Sequence, residues 1–193
     1  MELTDNIGVN VDYVRKGAFL LCEIVKDKTC CFFGHRKIEE TPELKTALVD
    51  TIEDLIINKG IDTFLLGSKS QFNTLCKNTL KEIKTKYPHI RRIYIRAEYP
   101  YIEDSYKKYL LQWCDETYYP EKMVDAGRAA YVERNYEMIN NSAYCVVYYG
   151  AGYLPPRRRN GKRDLFDYQP NSGTKVAYDY AVKKKRNIVN LLE

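Results

Sequence analysis

The feature that most constrains this chain is a repeated pairing: a short, continuously apolar run that ends on glycine, followed by a helix start. Thr29-Cys30-Cys31-Phe32-Phe33 stops at Gly34, and Thr63-Phe64-Leu65-Leu66 stops at Gly67. A strand that is apolar at every position has no polar face and must be covered on both sides. The intervening stretch opens with Thr41-Pro42-Glu43, a capping residue, a proline and an acid in the order a helix N-terminus favours. Its apolar residues Leu44, Ala47, Leu48, Ile52, Leu55 and Ile56 keep helical spacing until Gly60. Ser70 is placed to cap a second helix carrying Phe72, Cys76, Leu80 and Ile83, which stops before Pro88.

The same alternation continues. A third strand is expected over residues 90–96, a short helix over 105–114 and a longer one over about 126–141. Residues 143–149 read as a fourth strand, and 150–171 as a long loop. Ser172-Gly173-Thr174 opens a last helix with Val176, Ala177, Tyr180 and Ala181 on one face, and 187–192 reads as a fifth strand. Buried strands alternating with amphipathic helices imply an α/β fold: a Rossmann-like, doubly wound, mainly parallel sheet with helices on both faces. Residues 29–193 are expected to form this one domain, with 1–28 an N-terminal extension of no recognisable form. The full chain of 193 residues is long enough for one sizeable core.

Composition narrows the function classes. The chain is 45% apolar and 30% charged, with no apolar run long enough to cross a bilayer, so a cytoplasmic protein with no membrane partner is expected. Its six cysteines form no C-x-x-C pair and there are only two histidines, so no metal site is implied, and no cofactor. Buried, reduced thiols are expected instead. A net charge of +5 permits a phosphate-bearing partner without requiring nucleic acid. The 18 tyrosines suggest no function by themselves, since AT-rich codons would favour them along with Lys, Ile and Asn.

In parallel α/β sheets ligands bind at the carboxyl ends of the strands. That rule selects Gly34, His35 and Arg36 after the first strand, where glycine admits close backbone approach and the guanidinium can grip phosphate. It selects Gly67 and Ser68, with Asn73 in the first turn of the next helix, and the Ser172-Gly173-Thr174 start, because helix N-termini favour anions. Arg134 and Asn135, inside the helix before the fourth strand, can reach the same edge or make a surface ion pair with Glu133 or Glu137. Glu98, just past the third strand, can accept hydrogen bonds from ribose hydroxyls or remain a solvated acid. The long loop carries Arg157, Arg158, Arg159, Lys162 and Arg163 with Tyr153 and Tyr168 nearby. It can serve as a lid over a polyphosphate, a surface for single-stranded nucleic acid, or a solvated loop.

Taken together, the Cys30–Arg36 segment with its Gly34-His35-Arg36, the glycine after the second strand, Arg134-Asn135 and the late Ser172-Gly173-Thr174 resemble the YpsA-like branch of the SLOG superfamily. That superfamily groups Rossmann-like domains and includes the cytokinin-activating LOG enzymes and the DNA-processing protein DprA. The resemblance covers about residues 29–192. It implies a strand-end pocket for a nucleotide or nucleotide derivative, an ADP-ribose-like or cyclic nucleotide signal among them, and no settled reaction. Two positions depart from the pattern. Asn73 stands where the branch carries an aspartate, and Ala177 stands where LOG enzymes carry the glutamate tied to catalysis. The resemblance therefore carries a pocket and not LOG-type cleavage, and binding is expected rather than an enzyme. Two alternatives stay open: an N-glycosidase or phosphoribohydrolase using Glu98, and DprA-like binding of single-stranded nucleic acid by the arginine loop. A homo-oligomer is compatible with either.

Overall fold

The computed structural model describes residues 24–67, 69–123, 126–153 and 172–192. Ser68, most of the expected N-terminal extension and the arginine run of the long loop lie outside these residues. The expectation of a lid therefore falls there too.

Six strands form one parallel sheet: β1 (Thr29–Gly34), β2 (Thr63–Leu66), β3 (Arg91–Ile95), β4 (Glu116–Tyr118), β5 (Tyr144–Tyr148) and β6 (Asn187–Asn190). They lie in the order β4-β3-β2-β1-β5-β6, every neighbour pair parallel. Helices α1 (Pro42–Lys59), α2 (Gln71–Lys86), α3 (Asp104–Leu110), α4 (Ala130–Asn140) and α5 (Gly173–Lys183) connect them. The fold is thus Rossmann-like and doubly wound. The chain moves outward from β1 to β4, then α4 carries it back to β5 beside β1, so the order reverses between β1 and β5.

Side-chain alternation along the strands builds two cores. Cys30, Phe32, Phe64, Leu66 and Val146 point to the face covered by α1 and α2, where Leu48, Ile52, Phe72 and Leu80 meet them. Cys31, Phe33, Leu65, Ile93, Cys145 and Val147 point to the other face, against Met138 and Ile139 of α4 and Ala177 and Ala181 of α5. Among the described cysteines all five are buried and reduced, with Sγ of Cys31 and Cys145 3.5 Å apart across the β1–β5 register. Burial raises the thiol pKa of Cys30 and Cys76, which keeps them protonated and inert.

The local signals act as their chemistry dictates. Thr41 accepts a hydrogen bond from Leu44 N at 3.2 Å with Pro42 in the first turn, and Gly60 ends α1 in the left-handed region at φ 65°. The structure departs from the sequence expectation in three places. β4 was not foreseen, because Glu116-Thr117-Tyr118 has no apolar run; Arg91 recruits it by an ion pair to Glu116 at 2.6 Å, alongside Arg92 to Asp115 at 3.1 Å. The helix expected over 126–141 starts at Ala130, after a 3-10 turn at Gly127–Ala129 whose glycine has φ 50°. Residues 24–28 belong to the fold: Ile24 packs on the second core, Lys26–Lys28 form a 3-10 turn, and Ala143 N donates to Lys26 O at 3.0 Å. Among the described residues no helix is long and apolar enough to cross a membrane.

Candidate functional site

The residues singled out from the sequence fall into two groups along the carboxyl edge of the sheet. The first lies beyond β2 and β3. Gly67 ends β2 against the side chain of Arg134, which α4 presents from the neighbouring layer. A Cβ at Gly67 would stand 2.8 Å from Arg134 Cδ and Nε and 2.7 Å from Met138 Sδ. Glycine at this position leaves the room that the Arg134 and Met138 side chains fill. Arg134 is 3% exposed. Its Nη2 donates to Asn135 Oδ1 at 3.0 Å, its guanidinium lies 5.4 Å from the Tyr131 ring centroid, and its Nε has no hydrogen-bond partner among the described residues. The surface ion pair considered from the sequence does not form, because α4 turns Arg134 inward.

Glu98 lies just past β3, half-buried, and pairs with Lys69 at 3.1 Å across the β2 turn. The pairing raises the Lys69 pKa, chiefly through that hydrogen bond. Tyr94 of β3 is buried in the first core; desolvation raises its phenol pKa, and the charge of Glu98 raises it further while Arg134 opposes. Burial lowers the Arg134 pKa, with Tyr94, Glu98 and Tyr131 holding it up. Asn73 is buried in the first turn of α2, where its backbone N and its Nδ2 each lie 3.2 Å from the capping Ser70 Oγ. At that depth a neutral amide avoids the desolvation cost an aspartate would carry.

The second group lies at the reversal point beyond β1 and β5. His35 is buried, with its backbone N donating to Tyr148 O at 3.2 Å. Gly150 N donates to its Nε2 at 2.9 Å, and Tyr153 stacks on its ring at 3.7 Å. An Nε2 that accepts must be unprotonated, so Nδ1 carries the hydrogen, and it is buried without a partner among the described residues. Burial lowers the His35 pKa, consistent with a neutral ring. A cavity of about 470 Å³ opens beside it, lined among others by Lys37, Ile38, Tyr148 and Leu192.

The remaining candidates sit apart from both groups or serve the fold. Gly34 is close-packed by α2: a Cβ there would meet the Phe72 ring at 2.4 Å. Arg36 is exposed, and its carbonyl accepts from Gln71 N at 3.0 Å. Ser172 caps α5, accepting from Lys175 N at 3.1 Å, with Gly173 exposed and Thr174 half-buried at the helix start. Ala177 is 1% exposed and packed in the second core.

Three tyrosines that sequence reasoning passed over gather at the first group: Tyr94, Tyr131 and Tyr106. The spacing of Tyr131 and Arg134, three apart on one helix, was the available signal. The tyrosines also stack in pairs elsewhere, Tyr136 on Tyr180 at 3.9 Å and Tyr149 on Tyr178 at 4.4 Å, which gives their number a packing role. No family model matches this chain, and no curated protein matches it significantly.

Proposed function

We propose that this protein binds a nucleotide or nucleotide-derived ligand at the carboxyl edge of its sheet, with the Gly67–Arg134 contact as the anion-binding floor. The observation that carries this is Arg134. A guanidinium cannot shed its charge, and burying one without a full set of partners is costly. Glu98, the carboxylate whose charge acts on Arg134, already holds Lys69, so two cations share one anion there. A phosphate seated over Gly67 would supply the missing charge and an acceptor for Nε. Glu98 and Asn135 then suit ribose hydroxyls or base edges. Arg36 and the Ser172–Thr174 helix start would contribute to a longer ligand such as an ADP-ribose-like or cyclic nucleotide. The SLOG-like motifs support the same ligand class.

The test is titration calorimetry with ADP-ribose. Arg134→Gln removes a charge-assisted contact and should weaken binding by about 10- to 150-fold. Equal affinity in both proteins, or no binding to wild type, would overturn the proposal.

A further inference from the structure

The Arg134 site has an aromatic wall that its phosphate-binding role leaves unused. Tyr131 occupies the first turn of α4, three residues before Arg134, and its ring is 53% exposed although it is large and aromatic. The Arg134 guanidinium lies over the ring 5.4 Å from its centroid, so one face is engaged by a cation. The other face has that exposure to offer a ligand. A cation on one face draws ring electron density inward, which favours an electron-rich heteroaromatic ring on the opposite face. α3 carries a second exposed tyrosine, Tyr106, 36% exposed and stacked on Tyr109 at 6.1 Å.

We propose that Tyr131 is the stacking platform for a nucleobase, so that the site selects base-bearing nucleotides over sugar phosphates. This rests on the phosphate reading of Arg134 and adds the part of the ligand that the phosphate does not specify. The polar groups agree with it: Arg134 and Lys69 are cations for the phosphate, Glu98 is an acceptor for hydroxyls, and the exposed Tyr131 ring is the aromatic surface that Arg134 itself touches. Stacking also tolerates any base, because every base has a π-face; the preference is for a base, not for one base.

The test compares AMP with ribose 5-phosphate, which keeps the sugar and phosphate and lacks the base. Wild-type protein should bind AMP about 5- to 150-fold more tightly than ribose 5-phosphate, the range expected for one base on one aromatic ring. Tyr131→Leu should remove most of that difference by weakening AMP far more than ribose 5-phosphate. Tyr131→Phe keeps the ring and should keep the difference, which separates stacking from loss of the hydroxyl or of the fold. Equal affinity for the two ligands in wild type, or AMP binding unchanged in Tyr131→Leu, would overturn the stacking role while leaving the phosphate site standing. Binding of neither ligand would remove both.

Discussion

Replacing Arg134 by methionine should make the ligand-free protein more stable, not less. The side chain is 3% exposed and its Nε lacks a partner. An orphaned buried donor costs about 1–3 kcal/mol, and the desolvated charge adds to that. Methionine fills similar volume, carries no charge and lies next to Met138, which already touches the Gly67 strand end. Against this, the variant loses the Nη2 bond to Asn135, worth about 1 kcal/mol net, since the half-buried Asn135 can turn to water. It also loses the contact with Tyr131, about 0.5–1 kcal/mol at a partly exposed ring. These losses of about 1.5–2 kcal/mol roughly cancel the orphaned-donor cost, so the net gain is the relief of the desolvated charge, about 1–2 kcal/mol, at the low end of what replacing buried charges by apolar groups yields. For a domain of this size that is a rise of about 2–8 °C in Tm. Differential scanning calorimetry at pH 7 and low salt measures it, and repetition with ADP-ribose should show that the ligand-induced rise present in wild type is gone. A variant destabilised by about 1 kcal/mol or more would refute the reasoning, because Arg134 would then be holding the fold together.

Gly34→Ala should destabilise by about 1–3 kcal/mol in urea unfolding, since its methyl would press on the fully buried Phe72 ring at 2.4 Å and a packed core yields little. Because burial lowers the folded-state pKa of His35, the unfolded chain binds the extra proton first: stability is fully present above about pH 6.5 and falls as pH drops below it, by at most about 1.4 kcal/mol per pH unit. Urea midpoints at pH 7.5 and 5.5 should therefore converge in His35→Gln; an unchanged pH dependence would assign it to other groups. Under the proposed SLOG-like reading, in which Ala177 takes the place of the LOG glutamate, incubation with AMP should release no free adenine above background by chromatography; sustained turnover would shift attention to Glu98.

The fold was legible because its determinants are local. Strands such as Thr29–Gly34 are apolar at every position, and Thr41, Ser70 and Ser172 each accept the backbone hydrogen bond that a capping residue is chosen for. β4 was illegible for the converse reason. Three residues with polar side chains pair with the sheet edge only because Arg91 and Arg92 on the adjacent strand hold Glu116 and Asp115, a relation across some 25 positions. The site was legible in type and not in arrangement. Glycines after β1 and β2 looked equivalent in the sequence, yet one admits Phe72 from the core and the other admits Arg134. What a glycine makes room for is decided by the helix packed over it.

The reversal of strand order between β1 and β5 marks where a crevice opens in such a sheet, and a ligand is expected there. In this chain that point carries the cavity of about 470 Å³ beside His35, and its inner wall is tightly built. His35 is buried between the two strand ends, tied to Tyr148 O by its backbone and to Gly150 N by its ring, and capped by Tyr153. Asn190 of β6 adds a two-way clamp on the backbone of Tyr149, accepting from its N at 3.1 Å and donating to its O at 2.9 Å. The contacts that fix this corner are short-range and mutually supporting, and they involve neutral groups. Lys37 and Glu39 line the cavity at this corner, whereas the buried charge lies toward β2 and β3, where Arg134 is joined by Glu98 and its partner Lys69. A charged ligand is drawn to unbalanced charge, not to a topological position as such. The reversal still matters, because it is what sends α4 back across the sheet and so delivers Arg134 to the end of β2. The chain keeps the geometric consequence of its topology, and the proposed binding chemistry uses it at the ends of β2 and β3.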